Sequence, residues 1–135
     1  MKILIDTNVL LDVLCNRKEF ALDSLNVFKL CEVKKIEGYI SALSIANIVY
    51  IMRKELNKDK VREIIDKLTL IFEVIDLNDE DLKKASNLDF KDYEDAIQSV
   101  QAKRIKANYI ITRNIKDFHS SETLAIKPSE LIDRI

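Results

Sequence analysis

The chain has 135 residues, of which 47% are hydrophobic and 33% are charged, with one Gly, one Pro and no Trp. These proportions are typical of a soluble globular protein, and the scarcity of glycine and proline disfavours all-β folds, which need many special turns. The 22 basic and 23 acidic residues give a formal charge of −1, which argues against a protein held to nucleic acid by bulk positive charge.

Short apolar runs alternate along the chain with longer segments in which apolar residues recur at helical spacing. The first run, Ile3–Ile5, is followed at once by Asp6, Thr7 and Asn8, residue types that are favoured at the start of a helix. All four tyrosines lie in apolar segments and are predicted to pack in the core. The predicted elements, in chain order, are a strand over 3–5, helices ending near 16 and over 21–33, a strand over 38–41, helices over 43–56 and 61–70, a strand over 71–75, a helix beginning at 78–81, a helix over 93–107, a strand over 109–112, a short strand over 124–126 and a helix opened by Pro128.

Strands that alternate with helices predict an α/β fold, in which a mainly parallel sheet of four or five strands is covered on both faces. No segment has the composition of a linker, so residues 1–135 are predicted to form a single domain. Two distant cysteines and one histidine give no Cys/His cluster, and no zinc site is expected. The chain reaches an acid at Asp6 and has no apolar run of bilayer length, so we expect a cytoplasmic protein without a membrane partner.

Polar residues follow several of the predicted strands, at the edge where parallel α/β sheets bind ligands. A second acidic group, Asp92–Asp95, begins the helix over 93–107, and Asp95 borders the apolar stripe of that helix, where a charge is costly. Taken singly, these residues are explained by helix capping, by the helix dipole and by turn formation. The polar residues at the strand ends are Asp6–Asn8, Ser41, Asp76 and Thr112–Asn114.

Together, these carboxylates could converge over one edge of the sheet. Clustered carboxylates repel one another, and a hard divalent cation bound through oxygen ligands commonly offsets that repulsion. Mg²⁺ needs only one or two carboxylates and keeps several waters, and it can activate water and neutralise charge on a phosphoryl group. The residues therefore indicate metal-dependent phosphoryl chemistry that uses neither histidine nor cysteine as a ligand.

Three segments carry a resemblance to the PIN-domain family, in order and at the expected spacing: Ile3–Asp12 (ILIDTNVLLD), Tyr93–Gln98 (YEDAIQ) and Tyr109–Phe118 (YIITRNIKDF). The resemblance extends over essentially the whole chain and is strongest to small bacterial and archaeal VapC-type toxins. It implies a three-layer α/β/α fold and a Mg²⁺- or Mn²⁺-dependent endoribonuclease, in which water attacks an RNA phosphodiester. It further implies a homodimer and, for the toxin of a toxin–antitoxin pair, a cognate antitoxin protein with a segment that enters the active-site groove.

The resemblance also assigns the site. The implied catalytic residues are Asp6, Asp95, Asn47, Asn114 and Asp117, of which Asp6, Asp95 and Asp117 would bind the metal. Two positions depart from the family's pattern, because Asn47 stands where the family usually has Glu and Asn114 stands where it often has Asp. An amide oxygen can coordinate a cation but brings no negative charge, which should weaken the metal affinity.

The remaining predicted site residues support the carboxylates. Asn8 and Thr112 would hold them in place, and Asp92 and Glu94, both close to Asp95 in the chain, are candidates to compensate for the missing charge. The alternative function is therefore a catalytically weak or degenerate PIN-like module that binds RNA or protein. A receiver-like signalling domain with a phosphorylated aspartate is the third hypothesis and the least favoured.

Three basic residues are candidates to contact RNA phosphates. Lys103 and Arg104 lie late in the helix over 93–107, where they also complement the helix dipole on a solvated face. Arg113 lies between two site candidates and could either touch the scissile phosphate or form a surface salt bridge.

Overall fold

Five strands form one parallel sheet in the computed structural model, which describes all 135 residues. The order across the sheet is β3-β2-β1-β4-β5, so the chain builds outward from β1 on one side and then crosses over to build on the other. The strand order therefore reverses between β1 and β4, and ligands of parallel α/β sheets bind in the crevice that opens at such a point. The strands are β1 (Lys2–Ile5), β2 (Glu37–Ser41), β3 (Glu73–Ile75), β4 (Tyr109–Ile111) and β5 (Ala125–Ile126).

Seven helices cover the two faces of the sheet, and this confirms the predicted α/β class and its three layers. Side chains alternate along β1, so that Ile3 and Ile5 belong to a core with α1–α4 and α7 while Leu4 belongs to a second core with α6. α5 packs on α6. No helix has the length and apolar character needed to cross a membrane. The helices are α1 (Thr7–Leu14), α2 (Ala21–Glu32), α3 (Ala42–Ile51), α4 (Lys58–Ile71), α5 (Asp79–Ser86), α6 (Tyr93–Arg104) and α7 (Pro128–Asp133).

Several element boundaries differ from the sequence prediction. The helix predicted over 93–107 ends at Arg104 because Lys106 adopts a left-handed conformation with φ of 58°, which closes a helix. The helix predicted over 43–56 ends at Ile51, and the strand predicted over 71–75 begins only at Glu73 because α4 extends through Ile71. These corrections move the ends of the elements without changing their order.

Two of the four tyrosines correct the prediction that all four pack in the core. Tyr50 is 65% exposed and Tyr93 is 48% exposed. Tyr50 lies against the guanidinium group of Arg53, whose Cζ is 4.1 Å from the ring centroid, and the Tyr93 hydroxyl donates a hydrogen bond to the carbonyl oxygen of Leu82 at 2.7 Å. Because α3 is apolar on most of its surface, its sequence pattern does not indicate which side chains face solvent.

The only glycine, Gly38, lies in β2 and faces the core that contains Ile3 and Ile5. A Cβ atom at Gly38 would lie 2.5 Å from Sγ of Cys31 and 2.8 Å from the ring of Phe72. Any larger residue there would therefore force α2 and the end of α4 away from the sheet.

Candidate active site

A cavity of about 610 Å³ opens at the carboxyl ends of β1 and β4, where the strand order reverses. Five of its 13 lining residues carry a carboxyl group and two are lysines, so the formal charge of the lining is −3 when every acid is ionised. The crevice therefore concentrates negative charge where this type of sheet binds its ligands. The lining residues are Asp6, Thr7, Asn8, Ile51, Phe90, Lys91, Asp92, Glu94, Asp95, Asn114, Lys116, Asp117 and His119.

Asp6 is buried at the point where β1 passes into α1, with 4% of its surface exposed. Its side chain makes no capping hydrogen bond to α1. The carboxylate instead accepts hydrogen bonds from Nε2 of Gln98 at 3.1 Å and from Oγ1 of Thr112 at 3.0 Å. Burial raises the pKa of Asp6, the two hydrogen bonds oppose that rise, and the charge of Glu94 adds to it. Helix capping therefore does not explain this aspartate.

Asp95 is half-buried in the first turn of α6, with its backbone N–H bonded to Oδ1 of the helix N-cap Asp92 at 3.2 Å. Burial is the largest cause that raises the pKa of Asp95 to about 8, and repulsion by the other four carboxylates of the cavity adds to it. Without a bound cation, these causes favour the protonated form of Asp95. A divalent cation would favour the charged form instead.

Two hydroxyl groups and a carboxylate link the elements that carry these acids. Oγ1 of Thr7 donates a hydrogen bond to Oε1 of Glu94 at 2.6 Å, and it lies 2.7 Å from Oγ of Ser44. Thr7 and Ser44 are both buried. Because Thr7 follows Asp6 and Glu94 precedes Asp95, this chain of contacts fixes the start of α6 to the end of β1, and Ser44 attaches α3 to both.

The loop after β4 forms another side of the cavity. Thr112 is fully buried, and its hydroxyl both donates to Asp6 and accepts a hydrogen bond from the backbone N–H of Asn114 at 3.1 Å. Asn114 and Asp117 follow Thr112 and line the cavity, as does Asn8 from the first turn of α1. The structure therefore brings together every predicted catalytic and supporting residue except Asn47.

Asn47 does not line the cavity. It is half-buried on α3, between Ser44, which contacts Thr7, and Ile51, which lines the cavity. Residues three and four apart lie on the same side of a helix. Asn47 is therefore placed on the side of α3 that borders the site, without reaching the cavity wall.

Three residues that orient the acids are not predicted from the sequence as site residues: Thr7, Ser44 and Gln98. Thr7 has the pattern of a helix cap, and Ser44 has no distinguishing neighbour in the sequence. Gln98 does carry a signal, because it lies three residues after Asp95 and therefore on the same side of α6. A fully buried amide on that side indicates a polar partner inside the protein.

Two of the predicted RNA-contacting residues are paired with acids of the protein. Nζ of Lys103 lies 2.7 Å from Oε2 of Glu122. The guanidinium of Arg104 binds the carboxylates of Asp76 and Asp81 at 3.1 Å and 2.8 Å. Neither basic side chain lines the cavity.

Arg113, the third predicted RNA contact, is also held inside the protein. Its Nε lies 2.8 Å from Oδ2 of Asp12, whose side chain is fully buried, and Arg17 lies 3.5 Å from the other oxygen of that carboxylate. Its Cζ lies 4.0 Å from the ring centroid of Phe20. Arg113 therefore balances a buried charge beside the site and does not line the cavity.

The donor atoms of the cavity suit a hard divalent cation, because they are carboxylate and amide oxygens. No three Asp, Glu, His or Cys side chains lie close enough together to bind one ion directly. Mg²⁺ usually binds through one or two carboxylates and completes its octahedral shell with water. The oxygen donors, the room for water, and the burial and carboxylate repulsion that together raise the pKa of Asp95 all fit a hydrated cation of this kind.

A second groove, of about 680 Å³, lies between α3 and α4 and contains no acid. It combines four apolar side chains with three basic ones and one amide, so it offers no carboxylate to a cation. The acidic cavity is therefore the better candidate for an active site. The groove residues are Val49, Arg53, Leu56, Asn57, Lys58, Val61, Arg62 and Ile65.

A family model described as a PIN domain matches residues 2–116. Ribonuclease VapC1 of Aquifex aeolicus (strain VF5) is 27% identical over 138 residues, which cover 98% of this chain and 94% of that protein. The structure of VapBC2 from Rickettsia felis bound to a promoter DNA fragment matches with a TM-score of 0.73 at 18% identity, over 94% of this chain and 98% of that chain. FitAcB from Neisseria gonorrhoeae matches with a TM-score of 0.66 at 18% identity, over 94% and 98% of the two chains.

Proposed function

The chain belongs to the PIN-domain family, and from this premise we propose that it is a divalent-metal-dependent endoribonuclease that hydrolyses RNA phosphodiester bonds. The observation that carries the proposal is the buried carboxylate of Asp6, which faces other acids in the cavity and has no cation paired with it. The likeness to Ribonuclease VapC1 supports RNA as the substrate. The whole chain, residues 1–135, is proposed to act as one catalytic domain.

Asp6 and Asp95 would hold the cation, with Asp117 and the amide oxygen of Asn114 beside them. When bound, Mg²⁺ or Mn²⁺ activates water and neutralises charge on the phosphoryl group. Thr112 and Gln98 keep the carboxylate of Asp6 in one orientation, because each donates a hydrogen bond to a different oxygen of it. Catalysis depends on holding such groups within a fraction of an ångström of the working geometry.

The substrate phosphates must approach a cavity that is itself negative. Lys91 and Lys116 are the two cationic residues of its lining, and neither forms an ion pair with an acid of the chain. We propose that these two lysines meet the RNA backbone, since phosphate contacts position a nucleic acid without reading its sequence. Lys103, Arg104 and Arg113 would need to break existing ion pairs to do the same.

The chain is further proposed to be the toxin of a toxin–antitoxin pair that acts in the cytoplasm as a homodimer. Its structural neighbours include a toxin–antitoxin complex from Klebsiella pneumoniae, which matches with a TM-score of 0.67. That likeness supports a cognate antitoxin as the protein partner. Co-expression of the chain with the product of an adjacent gene, followed by size-exclusion chromatography with light scattering, tests both the partner and the dimer.

Cleavage of a labelled structured RNA by the purified protein tests the enzymatic proposal. We expect cleavage in Mn²⁺ or Mg²⁺ and none in chelator. Asp6→Asn removes the proposed metal ligand and should abolish cleavage, whereas Asp66→Asn, on the exposed face of α4, should retain it. Cleavage that persists in Asp6→Asn or in chelator refutes the proposal, because a contaminating nuclease or a different site would then be responsible.

The two amides, Asn47 and Asn114, support the degenerate PIN-like module as the second candidate function. In that case RNA or protein binding should survive chelation and should not require Asp6. The double variant Asn47→Glu, Asn114→Asp restores the two carboxylates and should then create metal-dependent cleavage that the natural chain lacks. If neither the natural chain nor the double variant cleaves RNA, simple loss of acids does not explain the inactivity.

A further inference from the structure

We propose that Phe90 and His119 form a subsite for one unpaired nucleobase of the RNA, beside the carboxylates of the cavity. The inference rests on the proposed function and names the part of the substrate that this wall of the cavity binds. It follows from how the two rings are held, from the charge of the cavity that they line, and from the lysines next to them in the chain.

Two separate segments bring the rings to the cavity. Phe90 lies in the loop between α5 and α6, and His119 directly follows a short 3₁₀ helix, Ile115–Phe118. Phe90 packs edge to face on Phe118, with 6.2 Å between the ring centroids and 76° between the ring planes. Because Phe118 precedes His119 in the chain, this contact holds the two segments together, and Phe90 and His119 both line the cavity.

Both rings are held in place before any ligand binds. Phe90 is half-buried and packs against the cores beneath α5 and α6. His119 is exposed, yet its Nδ1 donates a hydrogen bond of 2.9 Å to the carbonyl oxygen of Lys116, and its Nε2 lies 3.3 Å from Oγ of Ser120. Because both nitrogens are engaged within the loop, the imidazole offers a ligand its flat face. A ring that is already fixed loses little conformational entropy when a ligand stacks on it.

The charge of the cavity favours a nucleobase over a phosphate at these rings. The lining has a formal charge of −3, which repels a phosphate, whereas a nucleobase is neutral. Phe90 is the only phenylalanine or tyrosine of the lining, and Ile51 is its only other apolar residue. Proteins recognise single-stranded RNA by stacking its bases on aromatic side chains, among them Phe and His. The rings therefore offer the RNA a contact that the carboxylates of the cavity cannot provide.

Each ring has a lysine close to it in the chain. Lys91 follows Phe90, and Lys116 supplies the carbonyl oxygen that binds His119. Both lysines are exposed, and neither forms an ion pair with the acids around it. Aromatic rings for the bases and cations for the phosphates together form the sites that bind single-stranded nucleic acid. A base inside a duplex is paired and stacked on its neighbours, so this subsite requires an unpaired nucleotide.

A double-mutant cycle between protein and RNA tests the subsite. The probes are a short fluorescein-labelled single-stranded RNA and the same strand with abasic nucleotides throughout, and binding is measured by fluorescence anisotropy in chelator at low ionic strength. We expect Phe90→Leu and His119→Gln each to raise the Kd for the intact strand at least about fivefold. Neither should change the Kd for the abasic strand, which has no base to stack.

Three results overturn the proposal: a smaller rise for the intact strand, an equal rise for both strands, or no binding by the natural chain in chelator. An equal rise would mean that the substitutions disturb phosphate contacts or the fold. The absence of binding in chelator counts against the subsite because neither ring needs a cation.

Phe20→Leu is the matched control for Phe90→Leu. Phe20 is also partly exposed, at 37%, and its ring contacts the guanidinium of Arg113, but it does not line the cavity. This variant should leave the Kd for both strands unchanged. His119→Gln lies in an exposed loop and keeps an N–H donor for the carbonyl of Lys116. It decides the test if circular dichroism shows that Phe90→Leu does not fold.

Cleavage of the intact strand in Mn²⁺ distinguishes failure of the subsite from failure of the proposed function. If the natural chain cleaves the strand and the substitutions act equally on the intact and abasic strands, the nuclease stands and the subsite is wrong. If the natural chain neither cleaves nor binds RNA, the proposed function is wrong and the subsite falls with it. Binding with the expected difference between strands but without cleavage confirms the subsite on an RNA-binding module.

Discussion

Asp6 and Asp12 are two buried carboxylates at the two ends of the segment 6–12, and the charged groups around them are opposite in sign. The side chain of Asp12 is fully buried between the guanidinium groups of Arg113 and Arg17. Asp6 has only the neutral donors Gln98 and Thr112 and faces further acids. The protein therefore supplies the counter-charge for one of its buried acids and leaves the other for something outside the chain.

Two consecutive residues after β4 contact Asp6 and Asp12. Thr112 donates a hydrogen bond to Asp6, and Arg113 forms the ion pair with Asp12. A buried acid without a nearby cation is a candidate functional group, because an isolated buried charge is strongly disfavoured. A buried aspartate is therefore distinguished as structural or functional by whether the protein supplies a cationic partner for it, and not by its burial.

The same substitution should have unequal effects on stability at the two positions. Asp12→Asn leaves Arg113 and Arg17 without their counter-charge and should lower the free energy of unfolding by about 2–3 kcal/mol, since removal of one partner of a buried pair is strongly destabilising. Asp6→Asn removes a buried acid that has no cation, so the loss in chelator should be less than about 1 kcal/mol. Urea unfolding at pH 7 measures both, and equal losses would contradict the comparison.

Gln98→Leu should weaken metal binding at Asp6 with only a moderate loss of stability. Leu removes the buried Oε1 atom of Gln98, which has no hydrogen-bond partner, but it also takes a donor from the buried carboxylate of Asp6, so the free energy of unfolding should fall by about 1–2 kcal/mol. Asp6 loses one of its two side-chain donors, and the Kd for Mn²⁺ should rise about 10-fold or more. Urea unfolding and Mn²⁺ titration of the same sample provide the two readouts.

A loss of stability well above about 3 kcal/mol in Gln98→Leu would exceed the cost of the lost hydrogen bond to Asp6 and would show that the amide is mainly a structural element of the core. Gln101, one turn further along α6, offers a control. It is also buried, but its amide donates to the backbone carbonyl of Asp76 and does not contact the cavity acids. Gln101→Leu should therefore leave Mn²⁺ affinity unchanged.

The Asp6 region should respond to divalent cations and the Asp12 region should not. At a Mn²⁺ concentration of about ten times the Kd, ligand binding to the folded state raises its stability by about 1.4 kcal/mol. The natural chain and Asp12→Asn should both show this increase in thermal unfolding experiments, and Asp6→Asn should not. Loss of the Mn²⁺ effect in Asp12→Asn would mean that the two regions are coupled.

Much of the fold and part of the site are predictable from the sequence. The apolar run before Asp6 and the run before Thr112 identify adjacent strands whose ends carry polar groups, and the acidic start of α6 identifies a third contributor. These features are local, because strand ends and helix starts are visible in a window of about ten residues. The convergence of Asp6 and Asp95 in one cavity follows from the parallel topology.

The partners of long side chains are not predictable in this way. Arg113 and Asp12 come from distant parts of the chain, and their pairing depends on how the fold brings α1 to the residue that follows Thr112. Arg104 likewise reaches acids that the sequence places in other elements. A basic residue close to a site in the sequence therefore suggests a phosphate contact. Only the fold shows whether an acid of the protein already neutralises it.

The smallest expected effect is the dependence of stability on pH that Asp95 confers. Its pKa is raised to about 8 in the folded chain, chiefly by burial, whereas the ordinary value is 3.8. Between these values the unfolded chain releases a proton that the folded chain keeps, so the stability contributed by the protonated form declines as pH rises from 4 to 8. Because Asp95 is half-exposed, solvent screening reduces the effect to about 1 kcal/mol.

Asp95→Asn should therefore be more stable than the natural chain at pH 8 in chelator and equally stable at pH 4. Saturating Mn²⁺ should reverse the order at pH 8, since a cation favours the ionised carboxylate that the amide cannot provide. Urea unfolding at the two pH values, with and without Mn²⁺, measures the reversal. If Asp95→Asn is no more stable than the natural chain at pH 8 in chelator, the protein itself already compensates the negative charge of the cavity. The contrast between Asp6 and Asp12 would then not extend to Asp95.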